Sequence, residues 1–220
     1  VTGGDGTVAP DGSPVAVYLA APPGDTAPVA LSVCPPPATV LELGAGVGRE
    51  TRPLLACGYQ VTAIDESAAM LAHVTGARTV RADLFALDLG ERFGLVVGGS
   101  HFVNDAEPGR RAALLATCAR HVAADGVVLL ERYDPDWAAD PQTYHGAVGP
   151  VRIAFEVLDR TDEWTEARLV YEFVGRRWEQ QFHFAAVTPA SVDAEARAHG
   201  LTVVDVHGED DTWLELRVVP

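Results

Sequence analysis

Glu42, Gly44, Gly46 and Gly48 fall in one short stretch, Val40-Leu41-Glu42-Leu43-Gly44-Ala45-Gly46-Val47-Gly48-Arg49, which joins an apolar run to a helical one. Glycine lets a backbone turn sharply and approach a ligand closely, and a helix start presents free N–H groups. Several nucleotide-binding designs share that plan, and spacing separates them. A dinucleotide fingerprint needs Gly-x-Gly-x-x-Gly; here the third glycine comes one residue early. No Gly-Lys-Ser/Thr follows, which excludes a phosphate-gripping loop. Glu42, just ahead of the first glycine, suits a cationic amino-acid ligand better than a pyrophosphate. Two further carboxylates follow in order. Asp65 closes the next apolar run, where a carboxylate can accept from both hydroxyls of a ribose. Asp83, after the third run, can accept from an adenine amino group.

These residues need a sheet to position them. Thr39–Leu43 is a short apolar run, as for a buried parallel strand, and 60–64, 78–81, 95–98 and 126–131 read as the further strands. Helical stretches at 49–57, 67–74 and 108–123 alternate with them. Ala112, Leu115, Ala116 and Ala119 give the last of these one apolar face. Pro53 is tolerable only near the first turn of its helix. From 151 to 187 apolar residues alternate instead (Leu169, Tyr171, Phe173, then Trp178, Phe182, Phe184), with Gly175 at a turn, as in antiparallel strands. The first rhythm resumes with Thr188 as N-cap and Pro189 behind it, then strands at 201–206 and 213–219. The fold class is therefore α/β, a doubly wound and mostly parallel seven-stranded sheet with an inserted antiparallel β segment. The chain divides into an arm (1–37, with one short helix at 13–21), a core (38–149), the antiparallel insertion (150–187) and a closing helix with two strands (188–220).

At this point the chain resembles the class I S-adenosylmethionine-dependent methyltransferases of the small-molecule type. The resemblance rests on Glu42 to Arg49, on Ala63-Ile64-Asp65-Glu66-Ser67 with Met70, and on Arg81-Ala82-Asp83. Phe93-Gly94-Leu95-Val96-Val97 and Gly126-Val127-Val128-Leu129-Leu130-Glu131 are similar to the family's later signatures. It implies that S-adenosyl-L-methionine is the cofactor, with Gly44, Gly46 and Gly48 under its methionine part. Glu42 would hold the loop or the amino group, Asp65 the ribose, and Asp83 the adenine amine, with Met70 and Leu84 packed on adenine. Arg49 and Glu66, inside the matching motifs, and Ser100, in the segment that faces the methyl group, are expected beside the cofactor. Tyr18, in the arm, is expected either to close over the cofactor or to pin the arm to the core.

The acceptor is less legible, because methyl transfer from a sulfonium asks the protein mainly to position the acceptor and exclude water. The segment Gly98-Gly99-Ser100-His101-Phe102-Val103-Asn104-Asp105 lacks the Asp/Asn-Pro-Pro-aromatic motif of amino-methylating nucleic-acid enzymes, and there is no Pro-Cys nucleophile. The formal charge of −15, with arginine as the sole base among Lys and Arg, repels phosphate backbones and anionic lipid. A small-molecule acceptor methylated on oxygen or nitrogen is expected, with no nucleic-acid and no membrane partner. A non-catalytic S-adenosylmethionine-binding sensor is the alternative. His101 is the candidate base, since a neutral imidazole can take a proton near pH 7. Asn104, Tyr133, Trp137, His145 and Gln181 are further acceptor-side candidates, and Gln180 stands beside the last. Trp178 and Phe182 fit the insertion's own small core, which serves as a lid or as a homodimer contact. His73, His121 and His199 read as surface residues. The three cysteines form no Cys-x-x-Cys pair, so neither zinc nor a disulfide is expected, and a reducing cytoplasm fits. No apolar run approaches membrane-span length, and no basic–apolar–small pattern opens the sequence.

Overall fold

A computed structural model describes residues 7–107 and 109–219. In chain order the elements are helices α1 (Val15–Ala20) and α2 (Thr26–Val33), strand β1 (Thr39–Leu43), α3 (Thr51–Ala56), β2 (Gln60–Asp65), α4 (Ala68–Leu71), β3 (Arg78–Arg81) and β4 (Phe93–Gly98). Then come α5 (Arg110–His121), β5 (Val122–Glu131), α6 (Pro135–Ala139), β6 (Tyr144–Val148), β7 (Val151–Arg160), β8 (Thr165–Phe173), β9 (Arg176–Phe184), α7 (Pro189–Ala196), β10 (Leu201–His207) and β11 (Trp213–Val218). Pro108, where the sequence predicts a helix start, lies outside the described residues.

The core is a seven-stranded sheet in the order β10-β11-β5-β4-β1-β2-β3. β1 pairs in parallel with both β2 and β4, and β11 alone runs antiparallel between β5 and β10. Successive residues of a strand face opposite sides, so each central strand feeds two cores. Leu41, Leu43, Val96 and Leu130 pack with Leu114, Leu115 and Cys118 of α5 and Val192 of α7. Val40, Leu95, Val97 and Leu129 pack on the other face, against Ala27 and Ala30 of α2 and Leu54 of α3. The arm is thus part of the core: α2, which the sequence pattern does not reveal, covers one face of the sheet. Thr188 caps α7 as expected, its hydroxyl accepting from Ser191 N–H at 3.1 Å.

The second sheet has the order β6-β7-β8-β9, all antiparallel. It begins at Tyr144, ahead of the expected boundary at 150. One face carries Phe155, Leu169 and Phe182; the other carries ion pairs such as Arg168–Glu156 and Arg152–Glu172. Trp178 packs with Val17, Val151 and Tyr171, and Phe182 with Phe155, Ala167 and Phe184, so both belong to the insertion's own core. The chain returns to the parallel sheet through Asn104, whose carbonyl accepts from Ala185 N–H at 2.7 Å. Among the described residues no helix is long and apolar enough to cross a membrane.

Candidate functional site

A cavity of about 1870 Å³ opens between the C-terminal ends of β1, β2, β4 and β5 and the inner face of the antiparallel sheet. Parallel sheets place ligands beyond these strand ends.

The glycine loop forms its first end. Gly44, Gly46 and Gly48 have φ of +70°, +55° and +77°, a region that costs any side chain with a Cβ. They differ in what surrounds them. A Cβ on Gly44 would lie 2.4 Å from the ring of Phe102, whereas one on Gly46 would meet nothing within 4 Å. Gly44 therefore admits a packing ring, and Gly46 faces open space where a ligand can lie against backbone.

Asp65 organises this loop. Its Oδ2 accepts from Gly46 N–H and its Oδ1 from Ser67 N–H, both at 2.8 Å. Burial raises its pKa, against those two bonds. Each oxygen keeps a second lone pair, which leaves acceptors for ribose hydroxyls. Glu42 is buried under the start of α3 and accepts from Thr51 Oγ1 at 2.6 Å. Burial pushes its carboxyl up to about 8, opposed by the Thr51 bond. Its bond ties β1 to the start of α3, the helix that follows the loop. Arg49 is tied to Pro22 O (3.0 Å) and Glu50 (3.3 Å) at the rim.

Met70 and Leu84 are buried and line the cavity. Asp83 is exposed at its edge, with Oδ1 taking Phe85 N–H at 2.9 Å. Glu66 is also exposed and at the edge. Tyr18 packs both beside Val47 and Met70 and beside Tyr171 of β8, so it bridges the glycine loop and the antiparallel sheet.

The second end is aromatic. Ser100 and His101 have φ of +56° and +59°, two consecutive non-glycine residues in a costly conformation of the kind that clusters at functional sites. Ser100 N–H is fixed by Glu131 Oε2 at 2.6 Å. The His101 ring lies on Tyr133, with centroids 3.9 Å apart. Tyr133 in turn meets Trp137 at 5.1 Å and Phe184 at 5.0 Å. Burial, then the charge of Arg49, pushes His101 down to about 4, against a bond to the Arg132 backbone. Its Nδ1 is buried without a hydrogen-bond partner.

Several expectations need correction. Asn104 lines the cavity but spends part of its amide on the fold: Nδ2 donates to Ala185 O at 2.8 Å and Oδ1 accepts from Tyr133 N–H at 3.0 Å. Gln181 sits on the charged outer row of β9 with its amide on Glu166, at the cavity rim. Its neighbour Gln180 points inward instead, accepting from Tyr171 Oη at 3.0 Å and reaching Asp11 and Ser13 of the arm. His145 is exposed on β6 and does not line the cavity. His121 is fully buried, its Nε2 accepting from Leu89 N–H at 3.0 Å. Sequence reading missed Phe102 and Glu131. The signal for Glu131 was present: like Asp65, it is an acid closing a run of buried strand residues.

A family model described as a methyltransferase domain matches residues 21–206. No curated protein sequence matches the chain. Among solved structures, the CcbJ methyltransferase from Streptomyces caelestis superposes with a TM-score of 0.71 at 19% identity, covering 90% of this chain and 91% of its own. The sugar N-methyltransferase KedS8 from Streptoalloteichus sp ATCC 53650 gives 0.71 at 18%, covering 88% and 85%. CalS10, an amino pentose methyltransferase from Micromonospora echinaspora solved with S-adenosylmethionine bound, gives 0.67 at 22%, covering 87% and 88%. At such identities the likeness is one of fold.

Proposed function

Since the chain belongs to the methyltransferase-domain family, and is thus an enzyme that uses S-adenosylmethionine, we propose that it methylates an oxygen or nitrogen of a small-molecule acceptor. The carrying observation is the single cavity, with an open glycine loop at one end and an aromatic wall at the other. S-adenosylmethionine supplies an electrophilic methyl group on a sulfonium. The open space over Gly46, with the carboxylates of Asp65 and Asp83 at its side, fits such a cofactor. In this reading Asp65 takes the ribose hydroxyls, Met70 and Leu84 flank the adenine, and Asp83 takes its amine. Arg49 stands at the rim of the loop, beside the methionine part of the cofactor.

His101, Tyr133 and Trp137 line the acceptor side and keep water out of it. His101 stays neutral at pH 7 and offers a hydrogen-bond acceptor rather than a charge. A proton-abstracting role is weak for an imidazole pushed down to about 4, since a base works best near the operating pH. A nucleic-acid acceptor is disfavoured by the charge of −15. Calorimetry with S-adenosylhomocysteine, then with NAD, tests the cofactor assignment: the first should bind saturably and the second should not. Transfer of a labelled methyl group to amine and alcohol probes, with none to duplex DNA or tRNA, tests the acceptor class. Labelling of nucleic acid would sink it.

A further inference from the structure

Glu131 ends β5 and lines the cavity. Its Oε2 is occupied by Ser100 N–H. Among the described residues its Oε1 has no hydrogen-bond partner, and it is not sealed inside protein. One carboxylate oxygen is thus left open in the cavity lining, on a residue tied to Ser100, the neighbour of His101 in the segment after β4.

The surrounding charges select what can lie there. Three arginines line the cavity and each is engaged. Arg49 holds Glu50 and Pro22 O. Arg110 donates to Asp105 at 2.6 Å and stacks 3.8 Å over Phe85. Arg132 donates to Asp211 O at 3.0 Å and Val187 O at 2.9 Å. Acids outnumber them along the lining, with Asp11, Glu50, Asp105 and Asp134 besides Glu131. A phosphate- or carboxylate-bearing acceptor enters such a cleft against the field, and a cation enters with it. The rings of Tyr133, Trp137 and Phe184 suit the same guest, because ring faces attract ammonium groups.

We propose that Glu131 receives the acceptor, and that the acceptor is an amine lacking acidic groups, its ammonium donating to the open Oε1. The inference rests on the methyl-transfer reading of this site. Glu131 takes one proton from the ammonium and becomes a carboxylic acid, freeing the nitrogen lone pair. That pair forms the N–C bond as the S–C bond breaks and leaves a thioether; the methylated nitrogen keeps the positive charge, and Glu131 returns its proton to solvent. Burial, and then the charges of Asp25 and Glu50, push this carboxyl up to about 7, against the Ser100 bond and the charge of Arg49. It is therefore poised to hold an ammonium and to accept its proton near neutral pH.

Benzylamine, benzyl alcohol and benzoate share one ring and differ in charge, so they separate the possibilities. Each is titrated by calorimetry into the protein loaded with S-adenosylhomocysteine. Benzylamine should bind at least tenfold more tightly than benzyl alcohol, and benzoate should not bind. E131Q, whose amide oxygen can still accept from Ser100, should weaken benzylamine about tenfold with the alcohol and S-adenosylhomocysteine little changed. E131D should recover part of the loss. Should E131Q not fold, the wild-type protein gives the same reading, since benzylamine stays protonated while its affinity should fall between pH 8 and pH 5. Absent benzylamine binding, equal alcohol binding, preferred benzoate, or benzylamine affinity indifferent to both E131Q and pH overturns the proposal. If S-adenosylhomocysteine itself fails to bind, the cofactor reading fails instead. If it binds and the methyl group goes to a hydroxyl, that reading stands and the amine assignment falls.

Discussion

The loop at 44–48 and the wall of Tyr133, Trp137 and Phe184 bound one cavity with different materials. The loop binds with backbone. Its glycines bring main-chain atoms to the ligand, and Asp65 fixes them through Gly46 and Ser67 N–H. The wall binds with side chains, ring against ring, at 5.1 and 5.0 Å from Tyr133. A backbone site depends on torsion angles that few residues can adopt, so its sequence is constrained and readable. A wall of rings depends on which side chains distant elements bring together: β4, β5, α6 and β9 each contribute. The cofactor end is therefore encoded locally, and the acceptor end by the fold as a whole.

The sharpest way to break this contrast lies inside the loop. Gly44→Ala puts a methyl group into the Phe102 ring at φ +70°. Overpacking and left-handed strain together should cost about 3 kcal/mol, a melting-temperature loss of about 6–12 °C in a domain of this size. Removing the ring in a Gly44→Ala, Phe102→Ala double variant relieves the clash and leaves the strain. Gly46→Ala meets no neighbour. It should cost about 1 kcal/mol in stability, yet weaken S-adenosylhomocysteine more than tenfold by filling the open space. Equal melting losses in the two single variants would show that Phe102 does not rest on Gly44.

Asp65→Ala tests the loop's anchor. It removes two charge-assisted bonds as well as the ribose acceptor, each worth about 1.5–3 kcal/mol. Cofactor affinity should fall by about 10- to 100-fold by calorimetry, and unchanged affinity would remove Asp65 from the site.

The same contrast explains what could be read beforehand. Thr39–Leu43 matches its expected bounds because a buried parallel strand is an apolar run between breakers, and Arg78–Arg81 matches through its place in the alternation of strands and helices, since it is an edge strand with no buried residue. α2 was missed because Pro28 and the flanking glycine and prolines mask a helix that exists by packing on the sheet. Asn104 looked like a ligand residue since its type and place allow either role. Only the approach of Ala185 and Tyr133, remote in sequence, shows that its amide also ties segments of the fold together. His121 misled in the same way: a histidine ending an amphipathic helix looks exposed until Leu89 N–H is found against its ring. Glu131 closes an apolar run as Asp65 does, but its bond to Ser100 depends on the pairing of β4 with β5 and has no local signature.

Acidity gives a subtler separation of the two ends. Glu42 and Glu131 are pushed up to about 8 and about 7 by burial. The native state then holds protons that the unfolded chain has lost, so stability falls as pH rises through these values. His101, pushed down to about 4, acts oppositely: its contribution grows with pH between about 4 and 6.5 and is constant above. Between pH 6.5 and 8 only the carboxylate effect of these three remains. The ligand-free melting temperature should decline by a few degrees over that interval, and E42Q and E131Q should each flatten the decline. A midpoint that climbs instead would mean that neither carboxyl is held up by burial.

The smallest expected effect separates two adjacent residues. Gln180 and Gln181 are alternate in direction on β9, so one sequence step divides inside from outside. Gln180 accepts from Tyr171 Oη and donates to Asp11 and Ser13, which fastens the arm, and with it Tyr18, to the antiparallel sheet. Gln181 has only Glu166 on the charged face. Gln180→Ala leaves Tyr171 Oη without its acceptor in a largely buried position, at a cost of about 1–2 kcal/mol, and should loosen the arm, seen as faster proteolysis near residues 9–20. Gln181→Ala should stay within about 0.5 kcal/mol of the parent, as surface substitutions do, with acceptor KM unchanged. If Gln181→Ala raised KM while Gln180→Ala did not, the outward row of β9 would have to face the acceptor, and the polarity of the antiparallel sheet would be inverted.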